Sequence, residues 1–151
     1  MTTVFGIDPG KKGGLAWARD DGTYFAAKMP ETEHEIHAWF TSWWGSSTDF
    51  TVIEKVHSMP GQGVKSMFTF GQGYGFLRAC LVAHAMPFEA VPAGTWQRKM
   101  GCLTRGDKNV SKRRAQELYP ATKWTHATAD AILIATYALW THAERRGSTV
   151  Q

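Results

Sequence analysis

Apolar positions in the first thirty residues fall into short runs broken by turn formers. Val4-Phe5-Gly6-Ile7 stops at Asp8-Pro9-Gly10-Lys11-Lys12-Gly13-Gly14, and Leu15-Ala16-Trp17-Ala18 resumes beyond it. This predicts a β-hairpin opening on an acidic residue. Asp20-Asp21-Gly22 then turns the chain into Thr23-Tyr24-Phe25-Ala26-Ala27, the third strand of a meander. From Glu31 to Trp44 the period changes, because Ile36, Trp39, Phe40, Trp43 and Trp44 recur at helical spacing behind an acidic first turn. Phe50 to Val56 is a β-branched, apolar run that predicts a buried strand carrying Glu54 near its end.

Gly61 to Lys65 reads as a flexible connection, and Met67 to Ala85 as a helix interrupted by Gly71, Gly73 and Gly75. Glycine is costly inside a helix, so such a series points to close backbone packing or to room for a ligand. Pro87 to Pro92 is a fifth strand, kept near an edge by its prolines. Asp107 is placed to cap a basic helix from Lys108 to Leu118, stopped by Pro120. Thr125 to Arg146 is a last helix, apolar nearly all round and therefore buried. Strands alternating with helices after a meander predict an α/β domain spanning residues 1–151, with a mixed five-stranded sheet flanked by helices.

Composition narrows the function classes. With 20% charged and 13% aromatic residues the chain is the opposite of a disordered one. Its longest uncharged apolar stretch, Ala131 to Ala143, is thirteen residues, short of the about 20 that span a bilayer. No basic region followed by an apolar run opens the sequence, so no secretory signal, no membrane partner and a cytoplasmic location are expected. Cys80 and Cys102 stand singly, which argues against a disulfide framework or a zinc site. The net charge of +4 is uneven: Trp96 to Tyr119 holds seven basic and two acidic residues, leaving −1 for the remainder. Concentrated positive charge is the footprint of a phosphate-rich partner, or simply of a solvated helix.

Of thirteen acidic residues, four lie inside apolar segments: Asp8, Glu54, Glu89 and Asp130. An unpartnered buried carboxylate costs several kcal/mol, so each needs a cation, a donor or a shifted pKa. Each also has a plain explanation. Asp8 precedes Pro9 as a turn former, Glu54 has lysines to pair with, Asp130 complements a helix dipole, and one-face exposure of its strand suffices for Glu89. If Asp8, Glu54 and Asp130 converge, however, they form an all-oxygen site suited to Mg²⁺ or Mn²⁺. Two such ions about 3.5 to 4 Å apart support phosphodiester hydrolysis. His126, four residues before Asp130, shares its helical face and reads as a ligand, a general base, a phosphate donor or merely a surface residue. His34 and His37 lack the metalloprotease spacing and are expected to be exposed.

Taken together, Gly6-Ile7-Asp8-Pro9-Gly10 with Gly13-Gly14, Val52-Ile53-Glu54, Phe70-Gly71-Gln72-Gly73-Tyr74-Gly75, Val91-Pro92 with Trp96, and Asp130 to Ala135 resemble a RuvC-type Holliday junction resolvase. The stretch from Gly106 to Arg114, with Leu118-Tyr119-Pro120, resembles the chloroplast and phage-like variants. The resemblance implies an RNase H-like fold, a homodimer, a prokaryotic or phage-infected host cell, and Mg²⁺-dependent paired nicking of four-way DNA junctions. Asp8, Glu54 and Asp130 match the metal-binding acids. The common bacterial pattern has a further acid where Ala127 stands; the resemblance implies that His126, next to it, takes over a ligand or acid-base role, as a histidine does in some relatives. Lys108, Lys112, Arg113 and Arg114 are the implied phosphate contacts, and the three glycines imply close approach to a dimer partner or DNA.

His57, Met59, Phe68 and Phe70 follow the Glu54 strand, where an inserted ring is conceivable; core packing is the favoured expectation for all four. Three rivals remain. Actin-like kinases and ATPases share the opening hairpin but need two such domains. A RuvC-like nuclease acting on structured RNA has similar acids, and a non-catalytic DNA-binding module would gain from replacing buried acids with apolar residues.

Overall fold

The computed structural model describes residues 1–43 and 47–147. Five strands, β1 (Thr3–Asp8), β2 (Gly14–Arg19), β3 (Tyr24–Lys28), β4 (Phe50–Lys55) and β5 (Phe88–Pro92), form one sheet in the order β3-β2-β1-β4-β5. β1 pairs antiparallel with β2 and parallel with β4, and β5 adds in parallel at the edge. The mixed five-stranded sheet is therefore present as expected, and the proline-flanked strand lies at its rim.

Strand parity decides which side chains meet which helices. Phe5, Ile7, Leu15 and Ile53 enter one apolar cluster, against α1 (Glu33–Thr41) and α2 (Val64–Ala83). Val4, Ala16, Ala18 and Val52 enter the other, with α5 (His126–Arg145) and Ala115 of α4 (Lys108–Leu118). The even-numbered positions of β1 and β4 thus face α5. Gly6 and Gly14 on that face leave space for the helix, since a Cβ on Gly6 would fall within 3.0 Å of backbone atoms of Ala131 and Ala135. Ala131 to Ala135 of α5 are wholly buried there.

Helix ends follow the expected chemistry. Thr32 caps α1 in a capping box with Glu35, Asp107 accepts from the Asn109 backbone N–H at 2.9 Å to start α4, and Thr125 caps α5. α1 begins two residues later than its periodicity suggests and ends at Thr41; Trp44 lies outside the described residues.

Three readings need correction. α2 runs unbroken through its glycines from Val64, three residues earlier than expected, and, apart from the helix's own neighbouring backbone, no described atom lies within 4 Å of where a Cβ would stand on Gly71, Gly73 or Gly75. Within this chain those glycines permit no close packing, because that face of α2 is open. His57, Met59 and Phe68 are not core: Met59 and Phe68 are 55% and 68% exposed and His57 is exposed, while Phe70 is half-buried. A short helix, α3 (Ala93–Lys99), follows β5 without a loop; seven residues are too few to display a period.

Candidate active site

Asp8 is the last residue of β1, and Glu54 the penultimate residue of β4. Ile7 pairs with Ile53 across the parallel ladder, so the next residues stand side by side, and parity turns both toward α5. Asp130, in the second turn of α5, approaches from above. The convergence is visible in the charges each group experiences. Burial pushes the Asp8 carboxyl from its ordinary range to about 8, with the charges of Glu54 and Asp130 adding to the rise and Lys108 opposing it. Burial also raises Glu54 and Asp130; the Trp96 indole opposes the first, and Ser111, Lys108 and His126 oppose the second.

The plain explanations of these acids fare differently. Among the described residues Glu54 pairs with no lysine; its Oε2 accepts from the Trp96 indole at 2.8 Å. Glu89 is ordinary, as expected, bonded at 2.9 Å to Arg145 on the surface. A helix dipole does not account for all of Asp130's setting, because among the described residues its buried Oδ1 has no hydrogen-bond partner. An orphaned carboxylate oxygen beside two other raised carboxyls is an unusual concentration of cost, of the kind that functional sites carry.

Among the described residues, no group of three His, Cys, Asp or Glu side chains is already closed to a distance at which all would ligate one ion. The three acids influence one another electrostatically across the end of the cleft. Their chemistry nevertheless fits a hard divalent cation: the donors are carboxylate oxygens, and one of them has no other partner. His126 is exposed at the first position of α5 and lies near enough to ease Asp130's ionisation.

The basic residues divide. Lys108, in the first turn of α4, is within electrostatic reach of both Asp8 and Asp130. Lys112 and Arg113 are farther along the helix, both exposed. Arg114 is occupied elsewhere: its Nε donates to the Met100 carbonyl at 2.8 Å and its Nη1 to Glu117 at 3.0 Å. That guanidinium ties α4 to the end of α3, which removes it from the set of free phosphate contacts. Sequence reasoning missed Trp96 and Ser111 as neighbours of the acids; the only signal for Trp96 was its place after Val91-Pro92. A cavity of about 660 Å³ opens beside Glu54, walled by Val56, Met67, Phe70 and Pro92 with His57 and Gln62.

The raised carboxyls give a testable pH dependence. Between pH 4 and pH 8 the folded protein favours protonated Asp8 while the unfolded chain favours ionised Asp8, so the metal-free fold loses stability as pH rises through that window. A cation bound by the ionised acids reverses this. Adding Mn²⁺ at about a hundredfold its dissociation constant contributes about 2.7 kcal/mol, or roughly 5 to 10 °C in Tm for a chain of this size. Thermal scans should show an increment of that order at pH 8 and a small one at pH 5; equal increments at both would contradict the coupling.

No protein-family model and no curated protein matches the sequence. Solved structures do match. Thermus thermophilus RuvC in complex with a Holliday junction substrate superposes with a TM-score of 0.67, at 18% identity, over 98% of both chains. A Thermus thermophilus RuvC structure gives 0.66 at 18% identity, over 97% of this chain and 98% of that one. The chain has the RuvC-type, RNase H-like fold that its motifs imply.

Proposed function

We propose that this protein is a divalent-metal-dependent endodeoxyribonuclease that resolves four-way DNA junctions by paired nicks. The observation that carries the reading is the meeting of Asp8, Glu54 and Asp130 at one end of the sheet, each with its carboxyl raised, beside the cationic start of α4. Retaining three such groups in one place opposes stability and is explained by a site that needs negative oxygen. The similar fold of a protein solved with a Holliday junction supports the choice of DNA substrate.

Asp8, Glu54 and Asp130 would hold Mg²⁺, or Mn²⁺ in its place. When bound, such ions polarise a water and stabilise the leaving oxygen in phosphodiester hydrolysis. The chain's own work is placement. The strand ends fix two carboxylates and α5 the third, while Lys108 offers positive charge where the scissile phosphate would lie. His126, at the exposed edge of Asp130, is placed to exchange a proton with solvent there. Lys112 and Arg113 continue the positive surface for flanking phosphates, which gives affinity without reading sequence. Nicking two strands calls for two centres, and a second copy of this chain supplies the other. The open face of α2, where Val64 and Phe68 are 87% and 68% exposed beside bare glycine backbone, suits such a partner.

The deciding experiment incubates the protein with a synthetic four-way junction, a matching duplex and a structured RNA, each with Mg²⁺ and with EDTA. Symmetric nicks confined to the junction and abolished by EDTA are expected. Preferential cutting of the RNA, or metal-indifferent cutting, overturns the reading, and binding without cleavage points to a non-catalytic module.

Replacing Lys112 and Arg113 together by Ala should weaken junction binding and reduce the slope of log affinity against log salt by about 2, one for each phosphate that no longer has its cation. An unchanged slope would place the DNA on another surface.

A further inference from the structure

Trp96 is wholly buried, and a buried indole N–H needs an acceptor. Its acceptor is Oε2 of Glu54, 42 residues away in sequence, at 2.8 Å. The fold delivers this bond simply. Lys55 pairs with Pro92 in the parallel ladder, and Pro92 both ends β5 and caps α3. One turn of α3 then carries Trp96 back over the end of β4. Its ring is set in the same apolar cluster as Met100, Cys102, Ala129 and Leu133, so the donor has one position. Among the described residues, no other hydrogen bond to the Glu54 side chain is found.

We infer that Trp96 is a positioning residue: its indole N–H occupies Oε2 of Glu54, fixes the carboxylate's rotation and leaves Oε1 as the oxygen presented to a divalent cation. The bond also favours the ionised carboxylate, offsetting part of its burial. Groups that orient a metal ligand from behind are worth about 10- to 100-fold in metal affinity. This inference rests on the proposed metal site, and its test separates the two.

Mn²⁺ affinity is measured by calorimetry on four chains: wild type, Trp96→Phe, Glu54→Ala and the double variant, with thermal unfolding in EDTA to establish that each is folded. Trp96→Phe should weaken Mn²⁺ by about 10- to 100-fold in the wild-type background and leave it unchanged in the Glu54→Ala background. Unchanged affinity in the first case, or equal losses in both, overturns the positioning role. Unchanged affinity in Glu54→Ala alone instead overturns the metal site itself. If Trp96→Phe does not fold, the seven Trp indole N–H signals of the ¹⁵N-labelled wild-type chain answer the same question. One should shift on adding Mg²⁺ and on Glu54→Ala; seven signals unmoved by Glu54→Ala overturn the inference.

Discussion

Asp8→Asn, Glu54→Gln and Asp130→Asn should each lower junction nicking by about a thousandfold or more while leaving junction affinity within a few fold. Each change swaps one carboxylate oxygen for an amide nitrogen at constant shape. The backbone and the basic helix stay in place, but a charged ligand is gone. Metal stabilisation of a phosphoryl transition state contributes several kcal/mol, and every 1.36 kcal/mol is tenfold in rate. Stability should move the other way. The three acids are desolvated together, and their charges oppose one another's ionisation, so removing one charge relieves the metal-free fold. Asp8→Asn in EDTA at pH 8 should melt at or above the wild-type temperature. Near-normal nicking by any of the three would remove the metal assignment. Inactivity accompanied by a large fall in Tm would mean that the variant merely unfolds.

Gly6→Ala should destabilise the protein by roughly 3 kcal/mol or more, enough to compromise a domain whose total stability is typically about 5 to 15 kcal/mol. In an ordinary strand the same change would be favourable, since glycine loses more freedom on folding. Here a methyl group would collide with backbone atoms of Ala131 and Ala135, and backbone cannot rotate away as a side chain does. Only displacement of α5 would relieve the clash, carrying Asp130 out of reach of Asp8. Gly73→Ala is the internal comparison: it is an exposed helical position with nothing within 4 Å, and alanine there should stabilise by up to about 1 kcal/mol. Urea or thermal unfolding of both variants should give opposite signs. A mild Gly6→Ala would mean that helix and sheet are less closely packed than described.

The residues that announced themselves in the sequence were those whose chemistry conflicts with their neighbourhood. Asp8 and Glu54 end β-branched runs, and Asp130 stands among Ala, Ile and Leu; burial follows from the run, and cost from the charge. The α/β class was legible from run length and boundaries: short apolar runs broken by turn formers mark the strands, and longer stretches with capping residues mark the helices. What escaped depends on distance in three dimensions. No local signal says that Trp96 reaches back across the sheet edge to Glu54, nor that Arg114 is held by Met100 rather than free for phosphate. Met59 and Phe68 were misjudged because apolar type is a poor guide to burial where the neighbouring face is open.

Asp8 and Asp130 are separated by more than a hundred positions in the chain, and Asp130 comes into place only when α5 lies down on Gly6 and Gly14. A partly folded chain therefore does not bring the three acids together. The three carboxylates are gathered only once the sheet and its covering helix are assembled, and local opening of α5 separates them at once. The glycine seats on β1 and β2 act, in this sense, as a latch: the packing that completes the core is the packing that brings the three acids together.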